Sequence, residues 1–141
     1  MEAQKRYKTN QNKNNWQKYT MSTPQSNPGY VSPKNDKVAI VTGSSGFVGS
    51  RLVEMLLERG TQIVIGFDIA KPDVVLEQRF KEVQAKTGNK IIVLSGSEGD
   101  LTNDSSVEAA FKNHVPKIDI IYHIAALVGP FHTSELYYDV N

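Results

Sequence analysis
The stretch VTGSSGFVGS (Val41–Ser50) sets glycines at positions 43, 46 and 49 directly after the β-branched apolar run KVAIVT at 37–42. Such a run suits a strand buried on both faces. Beyond the glycines, Val48, Leu52, Met55 and Leu56 recur at helical spacing, and Gly60 marks the stop. The glycines therefore fall between a strand and a helix, the context in which their spacing carries information. Gly43 permits the tight turn out of the strand, Gly46 leaves the backbone uncovered, and Gly49 lets the helix pack closely on the sheet. The first-turn amides have no partner inside the helix and, with the helix dipole, suit a phosphate.

Working outward, the same alternation repeats. TQIVIGFD (61–68) reads as a second buried strand, and Pro72 and Asp73 open a helix with apolar positions Leu76, Phe80 and Val83, closed by Gly88. KIIVLS (90–95) is a third strand. Ser105 and Glu108 have capping-box spacing ahead of Val107, Ala110 and Phe111. IDIIYHIAA (118–126) is a fourth strand running into a loop, and Thr133 to Tyr138 begin a further helix, with Thr133 or Ser134 as its cap. Strands alternating with helices imply right-handed parallel crossovers. The expected fold is α/β, a Rossmann-like doubly wound parallel sheet of about four strands in the order 3-2-1-4. Its fourth strand forms an open edge that invites self-association.

Composition sets the bounds. The chain has 141 residues, enough for one modest domain, and no cysteine, so neither a disulfide framework nor a thiolate metal site is available. Residues 1–36 are rich in Asn, Gln, Lys, Ser and Pro; their six Lys/Arg against two acids give +4. They read as a disordered polar tail; a basic targeting segment, or a start at Met21, is the alternative. Residues 37–141 carry ten Lys/Arg against thirteen acids, or −3, which gives no general attraction to nucleic acid or anionic lipid. No apolar run approaches the ~20 residues of a membrane helix, and the N-terminus lacks the apolar core of a secretory signal.

Three glycines alone are equally compatible with a turn that holds no ligand. Asp68 changes the balance. It ends the second strand, nineteen positions after Gly49, where an acid accepts hydrogen bonds from the adenosine ribose hydroxyls of a dinucleotide. A solvated strand-end acid is the alternative. A carboxylate there repels a 2′-phosphate, so NAD is favoured over NADP, although Lys71 stands close by. No Gly-Lys-Ser/Thr occurs, which disfavours a triphosphate-binding loop. Ser45, Phe47 and Val48 fill the turn and the first helical positions, and join Gly43, Gly46, Gly49 and Asp68 in the expected cofactor-binding set.

With these residues in view, TGSSGFVGS resembles the TGxxGxxG fingerprint of the extended short-chain dehydrogenase/reductases. The order continues through Asp68, GDLTN at 99–103 and HIAALVG at 123–129. The resemblance implies that Asp100 and Leu101 lie near the adenine, and that Ala125 and Ala126 line the ribose and nicotinamide side. The step SGSEGD before Asp100 is longer than that family's usual one. AALVGPFHTSELYYDVN looks most like the 3β-hydroxysteroid dehydrogenase branch, including sterol-4α-carboxylate 3-dehydrogenases. That branch implies a steroid or sterol substrate oxidised at a 3β-hydroxyl, in the cytosol or on the cytosolic face of the endoplasmic reticulum. A sugar-nucleotide epimerase or dehydratase, or a non-catalytic dinucleotide-binding module, is the alternative. His123 matches a position where the family has a structural His or Asn.

The family moves the proton with Tyr-x-x-x-Lys on one helical face. Tyr7, Tyr19, Tyr122 and Tyr137 have Gln11, Thr23, Ala126 and Asn141 four residues on. Tyr30 has Lys34, but Pro33 between them costs a helix ~3 kcal/mol, and the pair precedes the first strand. No catalytic residue is therefore assigned. The expectation is that these residues are the cofactor-binding part of a longer dehydrogenase, without turnover of their own.

Overall fold
The structure, a computed structural model, describes residues 34–113 and 117–141. Most of the expected polar tail, the Met21 alternative and Tyr30 lie outside the described residues. Lys34 is described, and its Nζ donates to the Gly88 carbonyl at 3.2 Å.

Four parallel strands form one sheet in the order β3-β2-β1-β4: β1 (Asn35–Thr42), β2 (Thr61–Asp68), β3 (Lys90–Ser95) and β4 (Ile120–His123). The helices are α1 (Phe47–Glu58), α2 (Val74–Thr87), α3 (Asp104–Lys112) and α4 (Ser134–Val140), with a 3₁₀ turn at Gly96–Glu98. This is the Rossmann-like α/β order expected. β1 begins two residues earlier than the apolar run because Asn35 N–H donates to the Gly60 carbonyl at 2.8 Å and pairs in register with Thr61. Polar residues there extend the ladder without adding to the core.

Alternation along the strands divides the core into two layers. Val41 and Val64 face α1 and α2, joining Val53, Leu57, Leu76, Phe80 and Val83. Val38, Ile40, Ile65, Phe67 and Leu94 face α3 and its Ala110. The buried side of α1 differs from the expected one. Val53 and Leu57 are fully buried, Leu52 and Leu56 flank them, and Val48 is 60% exposed. Gly49 sets this rotation. A Cβ on it would overlap the Gly43 carbonyl, so Gly49 faces the turn, and Val53 and Leu57 follow one helical turn apart. Val48 is then carried round to the open side. Glu54, also inward, is answered by Arg51 at 2.9 Å and by Arg79 of α2 at 2.7 Å, tying the two helices together.

Asp73 caps α2 through its side chain, accepting from Leu76 N–H at 2.7 Å, and Gly88 ends the helix in the left-handed region. The α3 cap is Asn103, not Ser105. Its Oδ1 accepts from Ser105 and Ser106 N–H at 3.0 and 3.3 Å, so the helix starts two residues earlier than the capping-box spacing indicates. Thr133 caps α4. β4 keeps only four residues; Ile124–Ala126 leave the ladder. The β1–β4 pairing is opened by Asp119, which donates its N–H to the Val38 carbonyl and accepts from Val38 N–H, both at 2.9 Å. That amide, and then Lys117, hold the Asp119 carboxyl below the usual carboxylate range.

Candidate functional site
The crossovers place the C-terminal ends of all four strands on one edge, and the sheet changes winding direction between β1 and β4. The sequence-derived residues collect there. Gly43 has φ +68°, the left-handed region, and a Cβ on it would stand 3.0 Å from both N and Cα of Ala125. The turn after β1 and the loop after β4 are thus in backbone contact. Gly49 lies beneath the Gly43 carbonyl, as described. Gly46 is different. Its backbone is extended (φ −76°, ψ 170°), and a Cβ would meet only the Gly43 oxygen, at 3.3 Å. The protein's own packing asks little of glycine at 46; the absence of a side chain leaves an approach from outside open.

Beside that approach, the amides of Phe47, Val48 and Gly49 have no backbone or side-chain acceptor among the described residues, the helix first pairing at Ser50 N–H to the Gly46 carbonyl. Phe47 is 94% exposed, so its ring does not cover them. Three free donors at a helix N-terminus fit a diphosphate.

Asp68 is bound to the same turn. Its Oδ2 accepts from Ser45 N–H at 2.9 Å and its Oδ1 from Ala70 N–H at 2.9 Å, while Ser45 Oγ donates to the Ala70 carbonyl at 2.8 Å. Both donors of Ser45 are therefore spent on the β2 loop, and the amides of the turn left without a partner among the described residues include those of Phe47, Val48 and Gly49. Asp68 keeps lone pairs on both oxygens for further donors. Gly99 packs against the other side of Asp68: a Cβ there would overlap the Asp68 carbonyl, and Gly96 N–H donates to the Ile69 carbonyl at 3.1 Å. The 3₁₀ turn absorbs the extra length of SGSEGD and still returns the chain to Asp68. Asp100 follows, its Oδ1 accepting from Thr102 N–H at 2.9 Å and Thr102 Oγ1 at 2.8 Å. Leu101 packs on the α3 side of the core. A cavity of about 140 Å³ lies at that place, lined by Leu101, Phe67, Phe111, Ile121, Thr42 and His123. A second, of about 380 Å³, lies between α2 and β3 and shares no residue with the turn.

Sequence reading missed the anchor of the β4 loop. Thr42 Oγ1 lies 2.8 Å from His123 Nδ1, 3.0 Å from Ile124 N and 3.1 Å from Ala125 N. Its lone pairs serve the two amides, so its proton goes to Nδ1 and the ring carries its own proton on Nε2. Thr42 closes an apolar strand and heads the TGxxGxxG pattern, but neither position indicates which backbone groups its hydroxyl holds. Ala125 is half-buried on this anchor, and Ala126 is exposed. Among the described residues no group of His, Cys, Asp or Glu is arranged to hold a metal, and no helix is long and apolar enough to cross a membrane.

Solved structures share this architecture. The L-sorbose reductase of Gluconobacter frateurii, determined with NADPH and L-sorbose, matches with a TM-score of 0.58 at 18% identity, over 79% of this chain and 44% of that one. The NADPH-dependent 3-quinuclidinone reductase of Rhodotorula rubra matches with a TM-score of 0.53 at 23% identity, over 87% and 49%. Among curated proteins, UDP-glucose 4-epimerase 2 of Arabidopsis thaliana is 32% identical over 108 residues, covering 74% of this chain and 29% of that protein. A dTDP-4-dehydro-6-deoxy-D-allose reductase from a Streptomyces species is 28% identical over 93 residues, covering 66% and 26%. The chain thus spans about a quarter to a third of the length of these curated relatives. The model of the NAD dependent epimerase/dehydratase family matches residues 39–139, from β1 through α4, and the chain belongs to that family.

Proposed function
We propose that residues 37–141 are the cofactor-binding part of an NAD-dependent oxidoreductase. The observation that carries the reading is the set of free amides at Phe47, Val48 and Gly49 beside the uncovered Gly46, with the Asp68 carboxylate bound to the same turn. The amides take the diphosphate. Asp68 accepts the adenosine ribose hydroxyls on its remaining lone pairs, and Asp100 and Leu101 flank the adenine. Ala125 and Ala126 form the wall toward the nicotinamide, which supplies hydride transfer when bound. A carboxylate at the ribose disfavours a 2′-phosphate, so NAD is preferred to NADP. Two substrate classes follow from separate observations. The stretch Ala125–Asn141 resembles the 3β-hydroxysteroid dehydrogenases and favours a sterol or steroid 3β-hydroxyl. The curated relatives act on sugar nucleotides by their names, which favours a nucleotide sugar. Proton transfer in either case falls to residues outside this chain.

Calorimetric titration of the chain with NAD and with NADP tests the reading. Wild type binds NAD more tightly than NADP, and Asp68→Asn weakens NAD about tenfold while narrowing the difference, on the scale of one charge-assisted hydrogen bond. A wild-type chain that binds neither nucleotide overturns the reading; an Asp68→Asn variant that binds NAD as tightly as wild type overturns the ribose assignment.

A further inference from the structure
Among the described residues β3 is an outer strand of the sheet, with β2 on one edge and no strand on the other. Along a strand, the backbone groups of alternate residues point to opposite edges. Gly96 N–H donates to the Ile69 carbonyl at 3.1 Å, so Ile92 and Leu94, in phase with it, face β2, and Ile91, Val93 and Ser95 face outward. Gln84 of α2 caps the first of these: its Oε1 accepts from Ile91 N–H at 2.9 Å. No side chain or loop carbonyl among the described residues takes Val93 N–H, and Val93 is exposed. The cavity of about 380 Å³ between α2 and β3 lies against this uncapped part of the edge, with Val93 and Ser95 in its lining. Phe80, which is buried, and Ile91 give it an apolar floor, and Lys71, Lys81 and Glu77 stand exposed at its margin. Neither lysine is in an ion pair among the described residues. Two ammoniums against one carboxylate leave the groove net positive.

We propose that the outer edge of β3 docks an extended, acidic segment of a partner protein, which adds a strand to the sheet at Val93 and Ser95. Main-chain hydrogen bonds to those two residues hold the segment. On the face toward α2, its apolar side chain covers Phe80 and Ile91, and its carboxylates reach Lys71 and Lys81. Gln84 sets the register: the Ile91 amide is already taken, so pairing begins at Val93. A second copy of this chain suits the edge less well, because its own groove carries the same net charge and lysines along an edge oppose edge-to-edge pairing. The site shares no residue with the glycine turn and does not rest on the dinucleotide reading.

The probe is the blocked peptide Thr-Glu-Thr-Val-Thr-Glu-Thr, which as a strand puts both glutamates and the valine on one face. It is added to the 141-residue chain, and amide hydrogen exchange is followed residue by residue. In the free chain Val93 exchanges faster than Ile92 and Leu94, whose amides face β2. Peptide at ten times its Kd slows Val93 about tenfold. The same peptide with lysine for glutamate binds more weakly, and a version with every backbone amide N-methylated does not bind. Lys71→Gln combined with Lys81→Gln weakens the glutamate peptide about fivefold, the scale of two exposed ion pairs, while exchange at Leu57 in the core stays as in wild type. A glutamate peptide that leaves Val93 exchange unchanged overturns the proposal. So does equal binding of the lysine or the N-methylated peptide, or wild-type affinity in the double glutamine variant. Slow exchange at Val93 in the free chain overturns it as well: sedimentation as a dimer then assigns the edge to a second copy, and sedimentation as a monomer assigns it to a cover from within the chain.

Discussion
Replacing Thr42 by Val keeps the shape of a side chain that is 5% exposed and removes its oxygen. Three hydrogen bonds are lost, two from the amides of Ile124 and Ala125 and one to His123 Nδ1. Their sites are partly buried, so the two amides are left with little access to water. At about 1 kcal/mol net for each hydrogen bond the gross loss is about 3 kcal/mol. The methyl that replaces the hydroxyl returns about 0.8 kcal/mol of burial. The expected net cost is about 2 kcal/mol, which for a domain of this size lowers Tm by roughly 8–16 °C. Thr42→Ser is the control. It keeps the oxygen, loses one methyl, and costs about 1 kcal/mol. Urea unfolding followed by circular dichroism gives both values, and hydrogen exchange at Ile124 and Ala125 locates the effect. A Val variant within about 0.5 kcal/mol of wild type, or a Ser variant as unstable as Val, refutes the argument that this hydroxyl anchors the loop, because additive errors at one site are of that size.

Two further outcomes follow from particular contacts. Gly49→Ala places a methyl into the Gly43 carbonyl and costs about 1–3 kcal/mol in thermal unfolding, as overpacking does. Gly46→Ala, whose Cβ meets only one oxygen at 3.3 Å, costs less than Gly49→Ala; the reverse order contradicts the assignment of Gly49 to packing. Asp119 is held below its ordinary carboxylate range by Val38 N–H and then by Lys117, so its contribution to stability is present above the unfolded value of about 3.9 and is lost as pH falls through the lower folded value. The stability gap between wild type and Asp119→Asn, read from urea midpoints, therefore narrows on acidification below about pH 4; a gap that widens there contradicts the bond to Val38.

Strand order and crossovers were legible because two-sided burial leaves continuous branched runs, and β2 and β3 fall where TQIVIGFD and KIIVLS do. Helix boundaries were legible where a single residue decides them: Asp73 and Gly88 bound α2 as read. Periodicity failed on α1, since Val48, Leu52, Met55 and Leu56 form as regular a stripe as the true one. The choice between stripes is made by contact between Gly49 and the Gly43 carbonyl, which linear spacing does not encode. The α3 start failed for a related reason. Asn103 and Ser105 both suit a cap, and the winner is the one whose side chain reaches two free amides.

Of the side chains that anchor the crevice, only Asp68 is legible as a site residue; the anchoring roles of Thr42 and Asn141 are not. Where strands end, their backbone groups lose ladder partners, and unpaired groups in a partly buried place are costly. Three short polar side chains meet that need here, each bridging to backbone: Thr42 on Ile124 and Ala125, Asp68 on Ser45 and Ala70, Asn141 on Leu127. Each binds backbone N–H groups of a loop other than the element that carries it, or of its own strand's exit. The turn after β1 is thereby fixed to the end of β2, and the loop after β4 to β1 and α4. Because all three anchors grip main chain, the residues they hold can vary in side chain without moving. Phe47, Val48 and Ala126 are accordingly exposed on a rim whose backbone is set. A site of this kind can keep one cofactor geometry while its exposed lining changes with the substrate presented to it.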